Sequence, residues 1–88
     1  MNEPKKLLSI GAFANLTRLS IKALRLYDQL ELLQPRHIDQ QSGYRYYDID
    51  QLTTARMVRN LRDMDMPLAT IRRVVVATWF IRSLKPNG

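Results

Sequence analysis

The run SIGAFANLTRLSIKALRLYD, residues 9–28, contains two helix starts in close succession. Ser9 precedes Ile10, Phe13, Ala14 and Leu16 at helical spacing, so its hydroxyl reads as the N-cap of a first helix. Ala12 stands where a capping box wants Glu or Gln, and the box is incomplete. Thr17-Arg18-Leu19 interrupts the pattern, and Ser20 caps a second helix. One face of that helix carries Ile21, Leu24 and Tyr27 or Asp28, another Lys22, Arg25 and Gln29. Two short helices joined by a tight turn make a helix-turn-helix, whose second helix normally enters the DNA major groove with its N-terminal residues at the base edges.

Downstream, Leu32, Leu33 and Pro35 close the second helix, because the residue before a proline is pushed out of the helical region. Arg36-His37-Ile38 and Tyr44-Arg45-Tyr46-Tyr47 flank the turn-rich Asp39–Gly43, which predicts a two-stranded wing with Gly43 at positive φ. Strand alternation sends Tyr44 and Tyr46 to one face, Arg45 and Tyr47 to the other. Asp48-Ile49-Asp50-Gln51 is a capping-box pattern opening a third helix that runs to about Met64. Along it Ala55, Val58 and Leu61 form an apolar stripe beside Arg56, Arg59 and Arg62. Pro67 fits the first position of a fourth helix with Leu68, Ile71, Val74 and Val75, which Thr78–Arg82 can continue. The expected fold is mostly α: a winged helix-turn-helix with four helices and a two-stranded β-hairpin wing. Residues 1–7 read as a flexible N-terminus, 8–78 as the domain, and 79–88 as a partly disordered tail.

Eighty-eight residues suffice for one small hydrophobic core. Fourteen Lys and Arg against eight Asp and Glu give a net charge of +6, which makes a polyanion the first partner to consider, nucleic acid before an anionic membrane. No apolar run approaches the ~18 residues of a membrane span, and no signal-peptide core follows Met1, so the cytoplasm is the simplest compartment. The absence of cysteine excludes disulfides, thiolate metal sites and a cysteine nucleophile. His37 is the single histidine, which makes an imidazole zinc site improbable; it reads as an ordinary strand residue, and no cofactor or metal is expected. The acids serve as caps and local partners rather than as a positioned catalytic pair, so the chain reads as a non-enzyme.

Ser9-Ile10-Gly11, Ser20–Asp28, Leu32-Leu33-Gln34-Pro35, Gly43-Tyr44-Arg45-Tyr46-Tyr47 and Pro67–Ile71, in this order, resemble the DNA-binding domain of MerR-family bacterial transcription regulators, above all the multidrug-sensing branch. The resemblance covers about residues 8–77. It implies a winged helix that, as a dimer, grips a pseudo-palindromic promoter operator and distorts it for RNA polymerase. It further implies DNA contacts by Ser20, Lys22, Ala23 and Arg25 on the recognition helix and by Arg45 and Tyr46 on the wing. Tyr27 falls on the packed or phosphate-facing side of that helix, and Arg62 where the family places a basic phosphate contact. Leu26 departs from the pattern, standing where relatives often carry an aromatic residue against the DNA backbone. Relatives also continue into a dimerising coiled coil and a sensor domain or metal-binding loop. Nothing after residue 77 offers the ~3 to 4 apolar heptads of such a coil, so the sequence reads as an isolated DNA-binding module or a truncated gene product.

Blander readings compete at several positions. A solvated stripe paired to Asp63 or Asp65 rivals phosphate binding for Arg56, Arg59 and Arg62, of which Arg62 alone is carried forward. Packing under the hairpin is the default for Tyr44 and Tyr47, and core filling for Met57, Met64 and Met66. Trp79, Phe80 and Ile81 either cap the core or expose a self-association patch. Two other functions stay open: an architectural or excisionase-like DNA-binding accessory protein, and a protein-interaction module using Trp79-Phe80-Ile81.

Overall fold

The computed structural model describes residues 6–84. Its elements are β1 (Leu7–Ser9), α1 (Ile10–Thr17), α2 (Ile21–Gln29), β2 (His37–Ile38), β3 (Arg45–Asp48), a 3-10 turn (Ile49–Gln51), α3 (Leu52–Asp63) and α4 (Leu68–Ser83). Both serine caps form: Ser9 Oγ accepts from the Ala12 amide at 3.1 Å, and Ser20 Oγ from the Ala23 amide at 3.0 Å. Between the two helices the buried Thr17 hydroxyl donates to the Phe13 carbonyl at 2.8 Å and accepts from the Leu19 amide at 3.2 Å. Arg18 closes α1 in the left-handed region, φ 62°, its amide donating to the Ala14 carbonyl at 2.8 Å. The turn that sets the angle between α1 and α2 is thus held by one hydroxyl and one strained residue.

The expected hairpin is present, with His37 opposite Tyr46 and Ile38 opposite Arg45. A third strand accompanies it: β1 pairs antiparallel with β3, Leu8 opposite Tyr47, giving the sheet order β1-β3-β2. Leu7, assigned from sequence to a flexible N-terminus, is therefore a strand residue, and the Lys6 carbonyl accepts from the Ile49 amide at 3.1 Å. Three residues are too short a run for alternation to announce. The wing turn is organised by Asp39, whose carboxylate accepts from the amides of Gln41 (2.8 Å) and Ser42 (3.2 Å). Those amides hold its pKa below the usual carboxylate range. Gly43 adopts φ +76°, as the turn requires.

The Asp48–Gln51 capping box forms, the Gln51 side chain accepting from the Asp48 amide at 2.8 Å. The Gln51 Nε2 donates to the Gln34 carbonyl at 2.7 Å, so one buried glutamine ties the loop after α2 to the start of α3. Pro67 sits one residue earlier than expected, at the cap of α4 rather than its first position. α4 runs on through Trp79, Phe80 and Ile81 to Ser83, so part of the stretch assigned to the tail is helix. The expected disorder of Lys85–Gly88 falls outside the described residues.

The core is Leu8, Phe13, Leu24, Tyr27, Leu32, Leu33, Tyr47, Ala55, Val58 and Ile71, drawn from β1, β3, all four helices and the loop after α2. Three apolar expectations are corrected and one open choice is resolved. Leu16 and Met64 are exposed, at the ends of helices beyond the packed face; Tyr44 lies outward in the wing turn; and Trp79, Phe80 and Ile81 stand clear of the core rather than capping it. No described helix is long and apolar enough to cross a membrane.

Phe13 and Tyr47 stack at the centre, ring centroids 4.3 Å apart and planes 8° from parallel. The Tyr47 hydroxyl has no hydrogen-bond partner among the described residues, and burial, reinforced by the Asp28 charge, pushes its pKa up to about 12. An unsatisfied buried hydroxyl is a net cost, so Tyr47→Phe is expected to raise stability by about 1 kcal/mol at neutral pH. The folded state holds this proton more tightly than the unfolded chain, which releases it near pH 10. Wild-type stability therefore falls as the pH rises from about 10 to 12, and the advantage of Tyr47→Phe should widen by about 2 to 3 kcal/mol over that window. Urea titrations of both proteins at pH 7 and pH 11.5 measure this; an unchanged difference would refute it.

Candidate nucleic-acid interface

Helix α2 and its N-cap present Ser20, Lys22 and Arg25 to solvent and Ala23 half-buried. These residues, with Leu26, Tyr27, Gln29 and Arg62, line one shallow depression between α2 and α3. Tyr27 is 2% exposed, so of its two available sides it takes the packed one and forms the floor. Leu26, at 40% exposure, lies on the open wall and presents an apolar surface with no hydroxyl.

A second depression lies between the start of α1, α2 and the wing, lined by Ser9, Ile10, Arg25, Gly43, Tyr44, Arg45 and Tyr46. Arg25 belongs to both depressions. The eight residues singled out from the sequence, which span positions 20 to 62, thus converge on two adjoining concavities joined at one guanidinium. On the wing, the Tyr46 ring lies 6.0 Å from His37, tilted by 42°. Arg45 is anchored: its Nε donates to Asp28 Oδ2 at 3.1 Å, joining β3 to the last turn of α2.

Beyond this surface, the arginine stripe of α3 makes no ion pair to Asp63 or Asp65 among the described residues. Arg62 is exposed toward α2, whereas Arg59 is half-buried. Arg36 instead pairs with Asp48 at 4.0 Å and Asp50 at 3.6 Å, and Arg72 of α4 with Glu31 at 3.5 Å. The sequence reading missed the hydrogen bonds of the Thr17 hydroxyl, the tie from Gln51 to Gln34 and the Asp28–Arg45 pair. Thr17 is a local turn residue whose type was a signal, whereas Gln51 and Asp28 reach partners 17 positions away that no spacing predicts.

Residues 8–77 match the family described as MerR HTH family regulatory protein. The chain belongs to the MerR helix-turn-helix family. The matched segment is the DNA-binding domain of a MerR-type transcription regulator, and the family is one of regulators rather than enzymes. Among curated MerR-type relatives, the multidrug-efflux transporter 1 regulator of Bacillus subtilis is 37% identical over 65 residues, covering 74% of this chain and 23% of that protein. The chain thus spans about a quarter of that regulator's length. A MerR-family transcriptional regulator from Bacillus cereus shares the fold, with a TM-score of 0.72, 24% identity and coverage of 89% of this chain and 61% of the other. The EcmrR–DNA complex in EcmrR-RPo, seen by cryo-EM, aligns with a TM-score of 0.64 and 25% identity over 86% of this chain and 34% of that one.

Proposed function

We propose that this MerR-type domain reads promoter DNA with α2 in the major groove and the wing along the flanking backbone. Ser20, Lys22, Ala23 and Arg25 face the groove; Arg45, Tyr46 and Arg62 fix the register on phosphates. The observation that carries this reading is the convergence of Lys22, Arg25, Arg45 and Arg62 on two depressions that meet at Arg25. Phosphates on either side of a groove are met by the α3 arginine on one flank and the wing on the other. In keeping with the family, two chains are taken to bind one pseudo-palindromic promoter duplex in the cytoplasm and to distort it for RNA polymerase.

Fluorescence-anisotropy titration of the whole chain tests this, using a duplex enriched by the protein from a random library, a scrambled duplex and two salt concentrations. Selective, salt-dependent binding at two chains per duplex is expected. Binding indifferent to sequence and to salt would overturn it. Within the same assay Arg62→Ala should weaken both duplexes alike and reduce the salt slope by about 0.9, the signature of one lost phosphate contact. An unchanged slope would remove Arg62 from the interface.

A further inference from the structure

A carboxylate beside a DNA-facing surface needs a reason, because it repels every phosphate that approaches. Asp28 is such a group. It sits three residues after Arg25 on α2, and its side chain is 18% exposed. It also lies in the last turn of a helix, where the dipole disfavours negative charge. Its Oδ2 takes the Nε–H of Arg45 at 3.1 Å, across from helix to wing.

That choice of donor matters. A guanidinium offers one Nε–H and two terminal amino groups in a fixed plane. Bonding through Nε fixes the plane while leaving the terminal groups uncommitted, and among the described residues they have no hydrogen-bond partner. The Arg45 side chain keeps 33% of its surface exposed and lines the concavity it shares with Arg25 and Tyr46. A long side chain on a two-stranded wing would otherwise lose rotamer freedom when it met DNA.

We infer that Asp28 is a positioning residue for DNA binding: it holds Arg45 by Nε so that the terminal amino groups of the guanidinium are presented to a backbone phosphate. The inference rests on the DNA-binding reading above. It has a diagnostic sign. Long-range electrostatics alone says that deleting a negative charge from this surface strengthens binding to any duplex. Positioning says the reverse.

The test uses Asp28→Asn, Arg45→Ala, Arg45→Lys and the Asp28→Asn/Arg45→Ala double variant of the whole chain. Each is titrated with the enriched duplex at several salt concentrations, and each is melted to compare folding. Asp28→Asn is expected to weaken binding roughly five- to tenfold, and to weaken it no further once Arg45 is already alanine. Its salt slope should move toward that of Arg45→Ala. Arg45→Lys keeps the charge but has no Nε to anchor with amino groups to spare, and is expected to bind like Arg45→Ala; it decides the matter if Asp28→Asn fails to fold.

Tighter or equal binding by Asp28→Asn overturns the positioning role, as does a loss that adds in full to that of Arg45→Ala, or wild-type affinity in Arg45→Lys. In each of these outcomes wild-type binding is intact. A wild-type chain that binds no duplex instead overturns the DNA-binding reading and this inference with it.

Discussion

Phe13→Ala is expected to cost about 3 to 5 kcal/mol, the range for truncating a fully buried phenylalanine. Phe13 is 0% exposed and stacks face to face on Tyr47, so alanine leaves a cavity against a second aromatic ring. The backbone around it has little room to collapse. Its own carbonyl is tied by the Thr17 hydroxyl, and Tyr47 lies on β3, the central strand, paired with Leu8 of β1. An 88-residue domain holds a total of roughly 4 to 13 kcal/mol, so the loss takes a large share of it. Thermal unfolding followed by circular dichroism should show a midpoint lowered by about 15 °C or more. A shift of only a few degrees would mean that the core repacks around the gap and that the stack is not central to stability.

Arg25→Ala is expected to have the largest effect on recognition. Arg25 is exposed on α2 and is the only residue shared by both depressions of the interface. In the proposed binding mode its guanidinium would reach base edges in the groove, where a bidentate contact to guanine contributes about 1 to 3 kcal/mol of discrimination. The variant should therefore bind the enriched duplex roughly 5- to 150-fold more weakly, while the scrambled duplex loses much less. Equal losses on both duplexes, with a reduced salt slope, would place Arg25 on phosphate instead. No loss on either would remove it from the interface. Because Arg25 contributes no core contact, melting should stay near wild type, which separates this result from that of Phe13→Ala.

The residues that cap and pattern the helices were legible in the chain because their signals are local. Ser9 and Ser20 accept from amides three positions on, and Ala55 and Val58 face inward by periodicity alone. The hairpin was likewise written in its turn, where Asp39 and Gly43 supply the carboxylate and the positive φ. β1 was not legible, since three residues carry no periodicity and their strand character comes from pairing with β3, about forty positions away. Tyr44 went outward for a related reason: it stands at the turn, ahead of the residues that pair with β1, so nothing lies beneath it. At the candidate interface, the sequence and the family resemblance named the cations that line the two depressions. They were silent on Asp28, whose partner lies 17 residues away across a fold that had first to be known.

The pairing of Leu8 with Tyr47 has a consequence for how the molecule comes apart. Everything between those positions, including α1, the turn and α2, is enclosed in a chain loop whose two ends are stitched together by the sheet. Closing a loop of that length carries an entropic penalty that grows only slowly with further residues, and the closure is recovered by contacts inside it. Opening the sheet releases α1 through the Phe13–Tyr47 stack, and α2 is held within the same closed loop. The α2 helix and the wing are therefore expected to melt as one cooperative unit.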